Sequence, residues 1–385
     1  MSVGGVERPG KLAVGHGAEA PGGADRKAGG PQAAGPGRPA SLPSGARVVL
    51  KIGSSSLTRD DGGLDLNRID VLTRLIASLR HRGHDVVLVS SGAVAAGLPA
   101  LGMERRPTEL RLLQAAASVG QGRLVASWQT AMSAYGTVAA QVLLTAQDVA
   151  VRSHYRTVRA TFDALLTMGA VPVVNENDAV ATTEFSLGDN DRLAALVSHL
   201  VTADVLVLLT DVDGVWTARP GTPGARPLRY VAGGADLAGV DVSDRGSALG
   251  TGGMRTKVQA ATIACACGTA TLIARADDAV PLLGGSALPD DLGTWLAPTG
   301  PHRPSRRLWM AYASVPEGRL LVDAGAARAL TVGKKSLLLP GVTGVDGDFE
   351  AGAVVEVVGP RGPVARGVCR YAAAEVAEVL ALRGS

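Results

Sequence analysis

Aromatic residues, cysteine and strong net charge are all scarce in this 385-residue chain. Aromatics make up only 3% of the sequence, so Ala, Val and Leu must build the core of a chain that is 46% hydrophobic. The three cysteines, Cys265, Cys267 and Cys369, provide no disulfide framework. Cys265 and Cys267 lie in an apolar helical pattern without a nearby histidine, which favours buried thiols over a metal site.

Membrane and secretion signals are missing as well. No uninterrupted apolar run approaches the roughly 18 residues that are needed to span a bilayer. The first 45 residues lack the apolar stretch of a signal peptide. A formal net charge of +3 is too small to indicate nucleic acid or an anionic membrane as a partner. We therefore expect a soluble cytoplasmic protein.

Lysine is the scarcest basic residue, since only 6 of the 38 basic residues are Lys and 32 are Arg. Within residues 48–298 the only lysines are Lys51 and Lys257, and each lies in a glycine-rich segment. A compact ammonium on a flexible stem fits a crowded phosphate site as a point charge, which a planar guanidinium does not. The alternative is that two ordinary surface lysines escaped the composition bias by chance.

Three regions differ in composition and periodicity. Residues 1–45 are rich in Gly, Ala and Pro without periodicity, which predicts a disordered extension or an incorrectly chosen start codon. Residues 46–299 alternate short apolar strands with helical patterns, which predicts an α/β fold: an open, mostly parallel sheet sandwiched by helices. Residues 303–385 predict a small, mostly β domain, with strands at 319–323, 336–339, 354–358 and 364–370 and a closing helix at 372–382.

Polar residues cluster where four predicted strands end. The four segments are Gly53–Ser55, Ser90–Ala93, Asn175–Asp178 and Thr210–Gly214. Because ligands of such sheets bind beyond the carboxyl ends of the strands, these loops predict one site along one rim. A solvated turn is the alternative for Asn175–Asp178.

Three further features describe the chemistry of this rim. The segment after Lys51 can form a nest of backbone N–H groups, although it is not the usual P-loop. The acidic cluster before the helix at 191–200 can position cations, or one of its Asp residues can cap the helix. The Gly-rich loop before Lys257 can fold over a nucleotide. Cations, carboxylates and glycine loops together indicate phosphoryl transfer.

The same segments resemble those of the glutamate 5-kinases, amino acid kinases with a C-terminal PUA domain, in order and in spacing. The matching segments are 49–55, 90–97, 174–180, 188–191, 209–217 and 250–257. The resemblance implies ATP-dependent phosphorylation of the γ-carboxylate of L-glutamate, the first step of proline biosynthesis, with ATP and Mg²⁺. It also implies feedback inhibition by proline and a homo-oligomer. The extension of 45 residues is not part of the family pattern, and the PUA-like domain at 303–385 is expected to lack its last strand.

Site residues follow from the resemblance, position by position. The residues with catalytic roles are Lys51, Lys257 and Asp191, of which Asp191 holds the lysines in place. The residues that bind glutamate are Ser91, Asp178 and Asn190. The residues that contact ATP are Lys51, Gly53, Ser54, Thr210, Asp211, Thr251, Gly252, Gly253, Met254, Arg255, Thr256 and Lys257. The resemblance leaves the carboxylates that hold Mg²⁺ unknown.

Elementary chemistry agrees with these roles. A side-chain carboxylate with a pKa near 4.3 is already ionised at neutral pH, so the nucleophile needs no general base. A free α-ammonium requires a carboxylate partner, which Asp178 can supply. One rival is a relative that acts on N-acetylglutamate, aspartate or UMP.

A rival from another class is an RNA-binding or regulatory protein whose kinase body is inert. From residue 301 onward the chain carries 11 basic and 8 acidic residues, a balance of +3 that is weak for a phosphate-binding surface. RNA binding by the C-terminal domain is therefore doubtful, and a structural or regulatory role is favoured.

Overall fold

Short apolar runs form the strands of a large sheet, as their length and β-branched composition predict. The computed structural model describes residues 37–59, 63–145, 148–149, 152–180, 190–232, 237, 253–285, 287–300, 316–331 and 336–384. The strands of the sheet are β1 (Arg47–Ile52), β2 (Asp85–Ser90), β3 (Ala139–Leu144), β4 (Val171–Glu176), β5 (Val205–Thr210), β6 (Tyr230–Val231), β7 (Ala270–Arg275) and β8 (Thr294–Leu296).

Helices connect most of these strands, so the connections are the crossovers that parallel pairing requires. They are α1 (Leu66–His81), α2 (Ala93–Gly97), α3 (Leu110–Ser133), α4 (Arg152–Thr167), α5 (Asn190–Leu200), α6 (Met254–Ala266) and α7 (Ala276–Leu283). The strand order is β3-β4-β2-β1-β5-β7-β8-β6. The first six strands in this order pair in parallel, whereas β8 is antiparallel to β7. The predicted mostly parallel sheet is confirmed.

Helix α1 shows how local sequence fixes an element. Its N-cap residue, Asp65, accepts hydrogen bonds from the backbone N–H groups of Asn67 and Arg68 at 3.0 and 3.1 Å. Its buried apolar residues recur every three or four positions, so that one stripe of the helix faces the sheet. These residues are Ile69, Leu72, Leu75, Ile76 and Leu79.

Side-chain alternation along β1 separates two apolar layers. Val48, Leu50 and Ile52 pack in the cluster that includes α1, α3 and α7. Val49 packs on the opposite face, in the cluster that includes α4, α5 and α6. Because successive side chains of a strand point to opposite faces, Lys51 lies on the face of Val49, toward α5 and α6.

Residues 37–45, which the sequence assigns to a disordered extension, are ordered in the structure. Residues 1–36 lie outside the described residues. Leu42 is buried in the core, and the Arg38 guanidinium donates a hydrogen bond of 2.5 Å to the backbone oxygen of Leu292. Leu288 N donates to Ala40 O at 2.6 Å. A single buried leucine and backbone pairing order this segment, and neither gives a periodic signal.

The C-terminal domain is a small, mostly β domain, as predicted. Its sheet has the order β10-β9-β11-β12, flanked by two helices. Its elements are β9 (Gly318–Val322), α8 (Ala324–Thr331), β10 (Val342–Asp346), β11 (Val354–Gly359), β12 (Gly362–Val368) and α9 (Ala373–Gly384).

Two sequence expectations for this domain were wrong. The strand predicted at 336–339 is irregular and runs into the 3₁₀ turn Leu339–Gly341, and the strand lies at β10 instead. Pro340 within that turn lacks the N–H group that a ladder needs, which explains the shift. The helix α8 was not predicted, because its eight residues make only about two turns, too few for a helical period to stand out. Arg319 and Arg366 both pair with the carboxylate of Glu356, so part of the basic charge of the sheet is neutralised.

Among the described helices, none combines the length and the apolarity that crossing a membrane would require.

Buried His199 makes the stability of the protein depend on pH. It lies at the end of α5, its ring centroid 6.2 Å from that of Tyr155, and burial, with a smaller effect of the Arg159 charge, lowers its pKa to about 4. The unfolded ring protonates near pH 6.5, so below that pH the unfolded state binds more protons than the folded state. The free energy of unfolding should therefore fall as pH falls from 6.5 toward 4.

Between pH 7 and pH 5, we expect the free energy of unfolding of the His199→Gln variant to fall by about 2 kcal/mol less than that of the wild type. Urea unfolding at the two pH values measures this difference. The matched control is His81→Gln, which changes an exposed histidine of α1 and should keep the wild-type pH dependence. Equal pH dependence of the His199 variant and the wild type would contradict the assignment.

Candidate active site

Four neighbouring strands of the sheet end at the same rim. In the strand order, β4, β2, β1 and β5 are adjacent, and they run parallel. Their carboxyl ends therefore bring together the segments that follow them: 177–180, 91–92, 53–56 and 211–214. The rim predicted from the sequence is present.

The Asp191 carboxylate holds both Lys51 and Lys257 at this rim. The Nζ of Lys51 lies 2.5 Å from Oδ1 of Asp191, and the Nζ of Lys257 lies 3.3 Å from Oδ2. The Asp191 side chain is fully buried, and the Lys51 side chain is only 4% exposed. Buried charges persist only when they are paired, so each of these groups requires the others. The three groups together keep one net positive charge beside the rim.

The first turns of two helices build this cluster. Asp191 is in the first turn of α5, where the helix dipole stabilises a negative charge. Lys257 is in the first turn of α6, which begins after Gly253. The Thr256 hydroxyl lies 3.1 Å from Oδ2 of Asp191 and 2.9 Å from the Gly253 carbonyl oxygen. Lysine ammoniums beside a helix N-terminus form a site that suits a phosphate.

A second network joins three amide side chains to a serine. Asn190 Nδ2 donates to Ser91 Oγ at 2.8 Å and to Asn175 Oδ1 at 3.0 Å. Asn175 Nδ2 in turn donates to Gln121 Oε1 at 2.8 Å. Two of the predicted substrate residues, Ser91 and Asn190, are therefore in direct contact. Both N–H donors of the Asn190 side chain are used in these bonds, so its Oδ1 remains as an acceptor for a ligand.

Helix α3 places several groups of this second network. Trp128, fully buried, donates from Nε1 to Ser90 Oγ at 3.0 Å, which fixes the residue before Ser91. A Cβ on Gly120 would lie 1.8 Å from the Ala93 carbonyl oxygen, so only glycine permits this approach of α3 to α2. Gln121 follows directly and enters the network.

Sequence reasoning missed Gln121 and Trp128, and it placed Asn175 at the rim without assigning it a role. Glycine within a helical pattern is costly and usually has a packing reason, so Gly120 beside Gln121 was the available signal. Asn175 and Glu176 were predicted on the loop after β4, but both belong to the strand and are buried. They pair there with Leu143 and Leu144 of β3.

Asp178 lies half-buried on the turn after β4. Burial raises the pKa of its carboxyl group, and the charge of Arg106 acts in the opposite direction. Among the described residues, no hydrogen bond joins Asp178 to Ser91 or Asn190. A carboxylate that is partly desolvated in this way gains from a cationic partner.

The described residues that were predicted to contact the nucleotide lie in three places: at the end of β5, after β1 and at the start of α6. Thr210 ends β5 and donates from its hydroxyl group to Oδ1 of Asp211 at 3.0 Å, so these two act as a pair. Gly53 precedes the 3₁₀ turn Ser54–Ser56, which directly follows β1. Met254 is partly buried against the core, and Arg255 is exposed. Thr251 and Gly252 lie outside the described residues, as does Asp189, which would have tested the cap alternative.

Metal binding was left open by the sequence. In the described part of the chain, no group of three or more His, Cys, Asp or Glu residues could hold a metal ion. The buried carboxylate of Asp191 is shared by two lysines.

Comparisons with known proteins show which families the chain resembles. Residues 46–275 match the amino acid kinase family, and residues 318–384 match the PUA domain. The glutamate 5-kinase of Streptomyces coelicolor is 51% identical over 336 residues, which cover 87% of this chain and 89% of that protein. The glutamate 5-kinase of Thermobifida fusca is 48% identical over 344 residues, covering 89% of this chain and 88% of that protein. A carbamate kinase from Giardia lamblia bound to AMP-PNP has a TM-score of 0.49 and 16% identity, covering 66% of this chain and 99% of that one.

Proposed function

Since the chain belongs to the amino acid kinase family and, within it, to the glutamate 5-kinases, we propose that it transfers the γ-phosphoryl group of ATP to the γ-carboxylate of L-glutamate. The product is L-glutamyl 5-phosphate, and the reaction is the first step of proline biosynthesis. The observation that carries the proposal is the pair of buried lysines held by Asp191 beside the network of Ser91 and Asn190.

The lysines supply what this reaction most needs. Both reactants are anions, because the γ-carboxylate is ionised at neutral pH and ATP carries its phosphates. Lys51 and Lys257 screen their repulsion and stabilise the charge on the phosphoryl group as it moves. Asp191 keeps both ammoniums in place, and it contributes position rather than proton transfer. A general base is not required.

The hydrogen-bond network around Asn190 and Ser91 recognises the amino acid. The free Oδ1 of Asn190 can accept a hydrogen bond from the α-ammonium of glutamate. Ser91 Oγ accepts from Asn190, so its own proton is free to bind a substrate carboxylate. Asp178 supplies a negative charge for the α-ammonium, and pairing with that cation offsets the cost of its burial. An acetylated amine would lose this pair.

We propose that Mg²⁺ would be brought to this site by the nucleotide. This metal prefers phosphate oxygens and water over a cage of protein ligands, so the phosphates would supply most of its ligands together with water. The exposed carboxylate of Asp211, beside Thr210, is the group that we propose as an outer partner. The bound metal would neutralise part of the phosphate charge.

Trapping the acyl phosphate tests the proposed reaction. Purified protein with ATP, Mg²⁺, L-glutamate and hydroxylamine should form the γ-hydroxamate, which ferric chloride detects. Lys257→Ala serves as the control, because it removes one phosphate-screening charge. N-acetylglutamate, aspartate and UMP, tested side by side, should give at most a few per cent of the glutamate rate. A wild-type signal no higher than that of Lys257→Ala would refute the proposal.

Arginine should not replace either lysine. The ammoniums of Lys51 and Lys257 are buried against one carboxylate, and a larger planar guanidinium cannot take the same position. We expect Lys51→Arg and Lys257→Arg to lower kcat by at least about tenfold while the KM for glutamate changes less than about threefold. Initial-rate kinetics measure both, with Lys27→Arg as the matched substitution outside the family match. Full kcat in both variants would show that charge alone suffices.

Proline should compete with glutamate. It carries the same α-carboxylate and an α-ammonium, which Ser91, Asn190 and Asp178 can bind, but it has no γ-carboxylate to phosphorylate. We therefore propose feedback inhibition at a site that overlaps the glutamate site. Rates measured against glutamate at several proline concentrations should show a rising KM at constant kcat, and kinetics unchanged by excess proline would exclude this inhibition.

A further inference from the structure

The amide network at the rim ends inside the protein at Gln121, to which the proposed substrate contacts give no role. Gln121 lies on α3 and accepts a hydrogen bond from Asn175. Asn175 in turn accepts a hydrogen bond from Asn190, which is the residue that we propose to contact the ligand. The side chain is about nine-tenths buried, and its Nε2 is a buried donor without a hydrogen-bond partner among the described residues. A buried amide that leaves a donor unused costs stability, so its retention needs a reason.

We infer that Gln121 is a positioning residue that sets the direction of the hydrogen bonds from Asn175 to Asn190 and thereby decides which atom Asn190 presents to the amino acid. This inference rests on the proposed function, since it concerns how glutamate is recognised.

The reason lies in the symmetry of amide groups. An amide chain of this kind can run in two directions, because each side chain carries an acceptor at one corner and donors at the other. In the observed direction, Gln121 Oε1 accepts from Asn175, so Asn175 turns its own oxygen to Asn190. Asn190 then turns its Nδ2 inward, and its oxygen faces the ligand. With the opposite direction at Gln121, all three amides would reverse and Asn190 would present a donor instead.

The direction matters because the ligand carries a cation. An inward Asn190 Nδ2 leaves an oxygen for the α-ammonium and leaves the Ser91 proton for a carboxylate. A reversed chain would present N–H groups to an ammonium, which is repulsive. Gln121 thus favours amino acids with a free amine, although it lies behind the residues that would touch them.

The position of Gln121 is fixed by the fold. Gly120 brings α3 within contact of Ala93, two residues beyond Ser91, and Trp128 anchors the same helix to Ser90. Because residues 121 and 128 are two helical turns apart, both side chains lie on one face of α3. The helix therefore acts as a rigid support for the amide.

Two isosteric substitutions separate direction from packing. Gln121→Met keeps the length of the side chain but removes the acceptor, so the amides can reverse. Gln121→Glu keeps an oxygen toward Asn175 and can only accept when ionised, so the direction is kept. We expect Gln121→Met to raise the KM for glutamate about tenfold, with the KM for ATP within about twofold of wild type. In Gln121→Glu the KM for glutamate should stay within about threefold of wild type.

The control is Gln129→Met on the same helix. Gln129 Oε1 accepts from Ala139 N at 3.2 Å, so this variant also removes an amide hydrogen bond between α3 and the sheet, away from the rim. It should leave both KM values unchanged. Equal rises in the KM values for glutamate and ATP in Gln121→Met would indicate loosened packing and overturn the inference, as would an unchanged KM for glutamate.

A double-mutant cycle tests the route through Asn175. If Gln121 acts only through Asn175, adding Gln121→Met to Asn175→Ala should change the KM for glutamate by less than about twofold. A full, additive effect in that background would mean that Gln121 contacts the ligand directly. This cycle also decides the question if the buried carboxyl of Gln121→Glu prevents folding.

Calorimetric binding of glutamate separates this inference from the proposed reaction. A wild-type protein that binds glutamate without forming the hydroxamate would refute the kinase activity, and the same variants would still be compared by Kd. Weaker binding in Gln121→Met than in Gln121→Glu would then support the positioning role. A wild-type protein that neither bound nor phosphorylated glutamate would overturn both.

Discussion

The shared ion pair of Asp191 with Lys51 and Lys257 is the interaction on which the rim depends. Two ammoniums and one carboxylate are buried together, and removing the carboxylate would leave two like charges in the interior without compensation. The pair also joins β1 to the first turns of α5 and α6. The same contact therefore stabilises the sheet–helix packing and gathers the positive charge that we propose for phosphoryl transfer.

Consecutive residues at the start of α5 divide the proposed chemistry. Asp191 turns toward the two lysines, whereas Asn190 turns toward Ser91 and Asn175. Residues one apart on a helix do not face each other, so one helix terminus can serve two networks. A shift of α5 would displace both together, which couples the phosphate side of the site to the amino acid side.

Much of the fold was predictable because its signals are local. The strands β1, β2 and β5 are apolar runs, and the helix predicted at 191–200 is present as α5 (Asn190–Leu200). The strand β10 was not predicted, because the apolar run at 336–339 leads into Pro340, which cannot donate to a ladder. Among the site residues, Lys51, Lys257 and Asp191 were predicted from composition, motif and resemblance, and the structure places them in contact.

The alternating α/β order, the rim at the strand ends and the identity of the charged groups follow from the order of the amino acids alone. Periodicity, glycine placement and rare lysines are properties of neighbouring residues, so they are visible without coordinates. The packing of the folded chain, in contrast, brings a single carboxylate to both lysines and lets Gln121 reach Asn175 across 54 positions of the chain. Those contacts depend on how α3, α5 and α6 pack against the sheet, and a polar residue within a helix carries no local sign of the partner that packing will give it.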